Sequence, residues 1–254
     1  MLYERREKIL ELLALNKRVK INELLEIFNV SIETIRRDLE ALENEGCLKR
    51  VYGGAILENN RGLEISLSTR SNLNTDEKIK IATKAVEMIN DGDTIIFDSG
   101  TTCAEIAKRI NKKENLTILT NSIHIAMDLF NHSDHNVYFI GGKMRKNELA
   151  TSGFLAEKFL DNFSVDKCFI GIGGITLEDG ITDYHIEECN LRNEMMKSSK
   201  SVIAVCDNSK FGVKALFKVS KLDEIDILIT DDLTPKAFLE DIRNLGVKVE
   251  VVED

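Results

Sequence analysis

Five consecutive residues, Asp98-Ser99-Gly100-Thr101-Thr102, bring together a carboxylate, three hydroxyls and a glycine. Hydroxyl donors crowded at the start of a helix suit an anion, because free backbone N–H groups and the helix dipole favour negative charge there. A phosphoryl group fits that description. Gly100 permits the tight turn that would wrap it. Ordinary N-capping by Thr101 or Thr102 would employ one hydroxyl and leave the others without a task. Lys210, in "CDNSKFG", could add a positive charge from another loop, although alone it reads as a solvated lysine. Asp98 would then meet a neutral hydroxyl of the ligand rather than the like-charged phosphate.

A different chemistry is offered by Arg36 and Arg37 in "VSIETIRRDL". Apolar residues at Ile32, Ile35, Leu39 and Leu42 mark one face of a helix, Ser31 is a suitable N-cap and Gly46 a stop. At about 100° per residue, Arg37 then points away from the core, with Thr34 beside it and Arg36 on a flank. Glu33–Arg37 and Arg36–Glu40 are spaced as i,i+4 pairs, so a solvated helix face is the competing reading. Context favours nucleic acid. "RREKILELLAL" and "INELLEIF" are two earlier amphipathic stretches, and only Asn29 and Val30 separate the second from Ser31. Two helices joined so tightly form a helix-turn-helix, which presents its second helix to the DNA major groove. The following "GCLKRVYGGAIL" reads as a β-hairpin about Gly53-Gly54, a wing on which Lys49 and Arg50 could reach phosphates.

The elements that must position the anion site come later in the chain. Apolar, β-prone runs fall at 93–97, 116–119, 137–140, 168–170, 202–205 and 225–229. Amphipathic stretches such as 102–110, 123–130 and 187–198 lie between most of them. Strand–helix alternation predicts an α/β unit with a mainly parallel sheet. Small polar or glycine-rich loops follow the strands: "DSGTT", "TNS", "GGKMR", "GIGG", "CDNSK" and "TDD". Ligands of open α/β sheets bind beyond the carboxyl ends of the strands. Residues 58–75 are polar and aperiodic and read as a linker. The expected organisation is therefore a DNA-binding unit at 1–57, the linker, and a ligand-binding unit at 76–254.

Charge follows the same division. Residues 1–56 hold equal numbers of acidic and basic residues, so the rest of the chain carries the whole net charge of −9. An acidic body disfavours DNA except where Arg36, Arg37, Lys49 and Arg50 gather on one face. So modest a basic surface implies that a dimer or higher homo-oligomer is needed for useful affinity. The cysteines (Cys47, Cys103, Cys168, Cys189 and Cys206) are odd in number and lack a CxxC pair, as expected of reduced thiols. No run approaches the ~18 apolar residues of a membrane span, and no signal-peptide pattern opens the chain. A cytoplasmic protein without membrane attachment is expected. His132, Asp134 and His135, or His185 with Asp183 and Glu188, are weak metal candidates with no third-ligand signal. Neither a metal nor a cofactor is expected.

The run "INELLEIFNVSIETIRRDLEALENEGCLKRVYGGAI" closely resembles the winged helix-turn-helix of DeoR-type bacterial regulators. The segments "EKIKIATKAVEMINDGDTIIFDSGTTCAEIAK", "GGKMR", "GIGGITLEDGIT" and "DNSKFG" resemble the sensor domain of the same family. The resemblance implies that Ser31, Thr34, Arg36 and Arg37 sit on a DNA-recognition helix. It further implies a sensor domain related in fold to ribose-5-phosphate isomerase that answers to a phosphorylated sugar. By the family pattern its effector pocket is lined by Asp98, Ser99, Gly100, Thr101, Thr102, Asn121, Gly141, Gly142, Glu188 and Lys210. Cys189 departs from the family's usual alanine, a change small enough to read as a packing variant.

The expected function is a transcriptional regulator, a repressor by family default, that binds operator DNA and is released by a phosphorylated sugar. The rival is a sugar-phosphate isomerase-like enzyme carrying a DNA-binding domain. Asp183, Glu187 or Glu188 would be its base and Lys143 or Lys210 its electrophile. Spacing alone arranges no catalytic constellation, and no enzymatic activity is expected.

Overall fold

The computed structural model describes residues 2–16, 18–44, 48–56, 64, 66–146 and 148–253. The chain divides into two units, residues 1–73 and 74–254. In the first, α1 (Leu2–Asn16), α2 (Ile21–Phe28) and α3 (Ile32–Asn44) pack around Ile9, Leu13, Leu24, Ile35, Leu39 and Leu42. Asn29 takes a left-handed conformation (φ 48°) that ends α2 and turns the chain into α3. That is why two residues suffice for the turn. The wing is present as β2 (Lys49–Val51) and β3 (Gly54–Ile56), paired antiparallel. A further strand, β1 (Arg18–Lys20), completes its small sheet by pairing with β3. The basic "RVK" is too short and too polar to announce itself. Ile27 is exposed although it belongs to the apolar set of α2. Gly46 and most of residues 57–65 lie outside the described residues. Within the expected linker a short helix, α4 (Leu67–Ser71), forms under a cap in which Ser66 Oγ accepts from Thr69 N.

The second unit opens with α5 (Thr75–Glu87) and alternates through β4 (Thr94–Phe97), α6 (Thr101–Ala107), β5 (Thr117–Thr120), α7 (Ile123–His132) and β6 (Asn136–Phe139). A hairpin of β7 (Lys143–Arg145) and β8 (Ala150–Ser152), then α8 (Phe154–Leu160), leads back to β9 (Val165–Gly171). Next come β10 (Gly174–Thr176), β11 (Gly180–Asp183), α9 (Ile186–Lys197), β12 (Ser199–Val205), β13 (Phe217–Ser220), β14 (Ile227–Asp231), α10 (Lys236–Asn244) and β15 (Lys248–Val252). The main sheet has seven strands in the order β15-β14-β12-β9-β4-β5-β6, all parallel. Helices cover both faces. Ile95 and Phe97 pack with α5, α6 and α7, while Ile96 faces α8, α9 and α10. Each such fully buried side chain contributes on the order of 1.5–3 kcal/mol. The antiparallel β10-β11-β13 sheet and the β7-β8 hairpin were not expected from the apolar runs; each strand has only three or four residues. No helix among the described residues is long and apolar enough to cross a membrane.

The sheet order matters for function. From β4 the chain steps outward through β5 and β6, then returns to β9 on the other side of β4. The direction of winding therefore reverses between β4 and β9, and a crevice opens at their carboxyl ends.

One buried charge organises the first unit. Asp38 lies inside α3, only 1% exposed, and accepts from Arg5 Nε at 2.5 Å and Arg6 Nε at 3.1 Å. Asp38→Ala should destabilise the N-terminal unit by roughly 1.5–3 kcal/mol, the weight of hydrogen bonds to a charged group. Arg36→Ala, on the exposed face, should change it by less than about 0.5 kcal/mol. Urea unfolding of both variants tests this, and equal losses would deny the Asp38 contacts their role.

Candidate functional site

The second helix of the helix-turn-helix presents its predicted face. Ser31 caps α3, its Oγ accepting from Thr34 N at 3.3 Å and lying 3.0 Å from Thr34 Oγ1. Ile35 and Leu39 are buried, and Arg36 and Arg37 are exposed. Among the described residues no carboxylate engages either guanidinium, so neither i,i+4 pair forms. The wing behaves differently. Lys49 is exposed, but Arg50 is tied to Glu43, Nε to Oε2 at 2.6 Å and backbone N to Oε1 at 2.7 Å. Those hydrogen bonds from Arg50 hold the Glu43 carboxyl below its ordinary range. Arg50 would have to leave Glu43 to meet a phosphate.

At the crevice, Gly100 adopts φ 148°, ψ 154° and is the N-cap of α6. No side chain caps that helix, so the hydroxyls of Thr101 and Thr102 are not spent on its amides. Ser99 and Thr101 are half-buried and Thr102 is buried. Ser99 N donates to Asn121 Oδ1 at 3.0 Å, and Asn121 Nδ2 donates to Thr151 O at 2.9 Å. Buried Asn121 therefore straps the loop after β4 to β8. Gly141 and Gly142 are exposed after β6, and Gly142 (φ 141°) passes so close to Ser152 O that a Cβ would lie 2.6 Å from it.

Asp98 also has strong partners within the protein. It is 2% exposed, and its Oδ2 accepts from Gly171 N at 3.1 Å and Arg192 Nε at 2.6 Å. Arg192 Nη1 donates to Asp183 Oδ2 at 2.6 Å, and Asp183 Oδ1 accepts from Tyr184 N. Arg192 thus joins β4, β11 and α9 behind the crevice. Burial works to strip its proton, but Asp98 and Asp183 hold its pKa well above the ordinary value. Burial raises the Asp98 carboxyl, against the opposing charge of Arg192. Arg192 was absent from the expected site. Its signal was available: it occupies the buried stripe of α9 between Glu188, Cys189, Met195 and Met196.

The remaining candidates sit in ion pairs. Glu188 is buried and accepts from Arg145 Nη1 at 2.8 Å; burial raises its carboxyl despite that cation. Lys143 Nζ pairs with Glu187 at 2.9 Å. The carboxylates named as possible bases of an isomerase are therefore each engaged by a cation. Lys210 is half-buried beside Asp207. Against the effect of burial, the Lys210 charge and hydrogen bonds from Ser209 and Asn74 hold Asp207 below the usual carboxylate range. Cys103, Cys168, Cys189 and Cys206 are all buried free thiols.

A winged helix-turn-helix with an arginine-bearing face, followed by a parallel α/β unit with a polar switch-point crevice, is the plan of a DNA-binding regulator. The model of the DeoR-like helix-turn-helix domain matches residues 5–61, and that of the DeoR C-terminal sensor domain matches residues 73–232. The chain belongs to the DeoR family of transcriptional regulators. It is 33% identical to the transcriptional regulator GolR of Listeria innocua, over 99% of both chains. It is 36% identical to a putative aga operon transcriptional repressor of Escherichia coli O157:H7, over 98% of this chain and 93% of that one. It is also 36% identical to the transcriptional repressor GlcR of Bacillus subtilis, over 98% and 96%. Among solved structures, ribose 5-phosphate isomerase A of Methanocaldococcus jannaschii aligns with TM-score 0.41 and 16% identity, over 54% of this chain and 55% of that one. So partial a likeness leaves the fold resting on the sheet topology and the family.

Arg192→Met should cost roughly 3–5 kcal/mol at pH 7, because two carboxylates stay buried without their cation. Burial and the neighbouring Asp183 charge then act on Asp98 against the Gly171 amide, and its folded pKa moves further above the unfolded value. Between those two values the folded state binds more protons, so stability rises as pH falls. Melting temperatures from pH 7.5 to 5 should show the variant recovering part of its deficit on acidification. A deficit constant across that range would mean that the carboxylates do not feel the lost charge.

Proposed function

We propose that the protein is a repressor of a sugar-metabolism operon and that a phosphorylated sugar releases it from operator DNA. The observation that carries this reading is the exposed face of α3, where Arg36 and Arg37 remain unengaged by any described carboxylate while Arg5, Arg6 and Arg50 are all paired. Guanidinium groups held in that state on a recognition helix suit bidentate contacts to guanine or to phosphate. Ser31 and Thr34 open the same face, and Lys49 flanks it from the wing. Two of the similar proteins are named repressors, one of them of an operon, which supports the same sign of regulation here.

The effector site is the crevice at the end of β4. A phosphoryl group would rest on the hydroxyls of Ser99, Thr101 and Thr102 and on the uncapped amides at the start of α6, with Lys210 adding charge. Gly141 and Gly142 would let the sugar approach the backbone. Asp98, Asn121 and Glu188 would line the same pocket, held in place by Arg192 on one oxygen of Asp98, by Ser99 and Thr151 on Asn121, and by Arg145 on one oxygen of Glu188. The effector would favour a form of the protein with lower operator affinity, which requires that it bind that form more tightly. The working species is a homo-oligomer in the cytoplasm that meets operator half-sites in pairs.

Arg37→Ala should leave the melting temperature within about 1 °C and weaken operator binding by roughly 1–3 kcal/mol if it reads a base. Unchanged affinity in a gel-shift titration would return α3 to a plain solvated face. Isothermal titration with five- and six-carbon sugars and their phosphates tests the crevice. The phosphate should bind at least tenfold more tightly than the free sugar. Gly100→Val should abolish that binding, because a β-branched residue does not tolerate this φ, and Lys210→Ala should weaken it without altering operator affinity. Equal affinity for sugar and phosphate would remove the phosphate role of Ser99–Thr102.

A further inference from the structure

The two edges of the seven-stranded sheet are finished differently. The β15 edge carries Lys248 and Glu250, paired at 2.7 Å, with Lys84 3.9 Å from Glu250. Charges of this kind keep an edge strand from pairing with another chain. The β6 edge, Asn136-Val137-Tyr138-Phe139, has no charge, no proline and no break in its register with β5. Its bonds to β5 use the amides of Asn136, to Leu116 O at 3.0 Å, and of Ile140, to Thr120 O at 2.8 Å. By alternation the amides of Val137 and Phe139 point off the sheet.

The helices beside this edge continue its apolar character. On one face Val137 packs with Ile125 and Leu129 of α7, so Phe139 shares that face. Asp128 and His132 line a small cavity against α6. Phe130, 77% exposed, therefore lies on the opposite flank of α7, towards the edge. On the other face Tyr138 meets Phe163 edge-on at 5.3 Å, and Phe163 stacks on Phe159 of α8 at 5.1 Å. Leu155, one turn before Phe159 and 72% exposed, extends that row.

We propose that the β6 edge is the surface through which a second copy of this chain joins, the two β6 strands pairing antiparallel about a twofold axis. This rests on the reading of the protein as a homo-oligomer and names its contact. Scaled by exposure, from Phe130 at 77% to Phe139 at 40%, side chains of ~150–250 Å² each supply several hundred Å² per copy. That is about half of the ~800 Å² per partner of a standard interface, and the paired strand backbones add to it. A self-contact also has to overcome a net charge of −9 on each copy, and this edge strand brings no carboxylate to it.

The test is light scattering of the full-length protein at micromolar concentration, with circular dichroism to check the fold. The double variant Phe130→Glu/Leu155→Glu alters only highly exposed positions and should fall to half the wild-type mass or less with an unchanged spectrum. Leu233→Glu, 64% exposed but five strands away beyond β14, should keep the wild-type mass. A double variant that keeps its fold and the full mass overturns the β6 contact while leaving the homo-oligomer reading standing, as does a Leu233 variant that dissociates equally. A monomeric wild type overturns both. Should the double variant lose its spectrum, amide exchange of the wild type decides. The Val137 and Phe139 amides should be protected when concentrated and lose at least tenfold protection on dilution to monomer; fast exchange at every concentration refutes the contact.

Discussion

A guanidinium removed from water has to be matched by charge, and Arg192 is matched twice, by Asp98 and Asp183. Much of the sensor unit depends on that arrangement. Asp98 closes the carboxyl end of β4 and also takes the amide of Gly171 at the end of β9, so one carboxylate holds both sides of the switch point. Asp183 anchors β11 to the same cation, and α9 supplies it from the buried face. The loop carrying Ser99, Gly100 and Thr101 begins at the fixed carboxylate and is tied again through Asn121 to β8. The hydroxyls are thus set at the crevice by groups that do not themselves need to touch a ligand. A buried ion pair of this kind adds little net stability over an apolar substitute, whereas removing one member is costly. Its contribution here is position.

The same rule separates two identical dipeptides in the DNA-binding unit. Arg5-Arg6 and Arg36-Arg37 have the same composition and opposite fates. Asp38 lies within reach of the first pair and is buried by it, which docks α1 against α3. The second pair points outward from α3 and meets no described carboxylate. Local charge neutrality in residues 1–56 therefore conceals a difference in pairing: Asp38 is consumed inward and Glu43 at the wing, while Glu33 and Glu40 stay exposed on α3 without engaging Arg36 or Arg37. Glu43 shows the same economy, holding Arg50 on the wing.

Periodicity made the α3 face legible, because a 3.6-residue stripe determines both what is buried and what must point outward. Six of the seven main-sheet strands announced themselves as apolar runs between helical stretches. β15 did not, since an edge strand alternates charge with valine. The short antiparallel strands β1, β7, β8, β10, β11 and β13 carry too few residues for any pattern. Residue types at the strand ends pointed to the crevice, but the duties within it were not legible. That Asp98 also meets Arg192, 94 residues away, could not be read from the residues around it. Arg192 itself drew no attention, because a charged side chain in a helix usually faces solvent. Its place between Cys189 and Met195, at helical spacing, was the overlooked sign.

Two ligand sites on one chain earn the name of a switch only if each changes the affinity of the other. The direct measurement is a fluorescence anisotropy titration of operator DNA with and without saturating sugar phosphate, and its converse, titration of the sugar phosphate with and without operator. If the effector releases the repressor, the operator Kd should rise by roughly 5–150-fold, and the effector Kd should rise by the same factor when operator is bound. An operator affinity that the bound sugar phosphate leaves unchanged, or strengthens, would contradict that account.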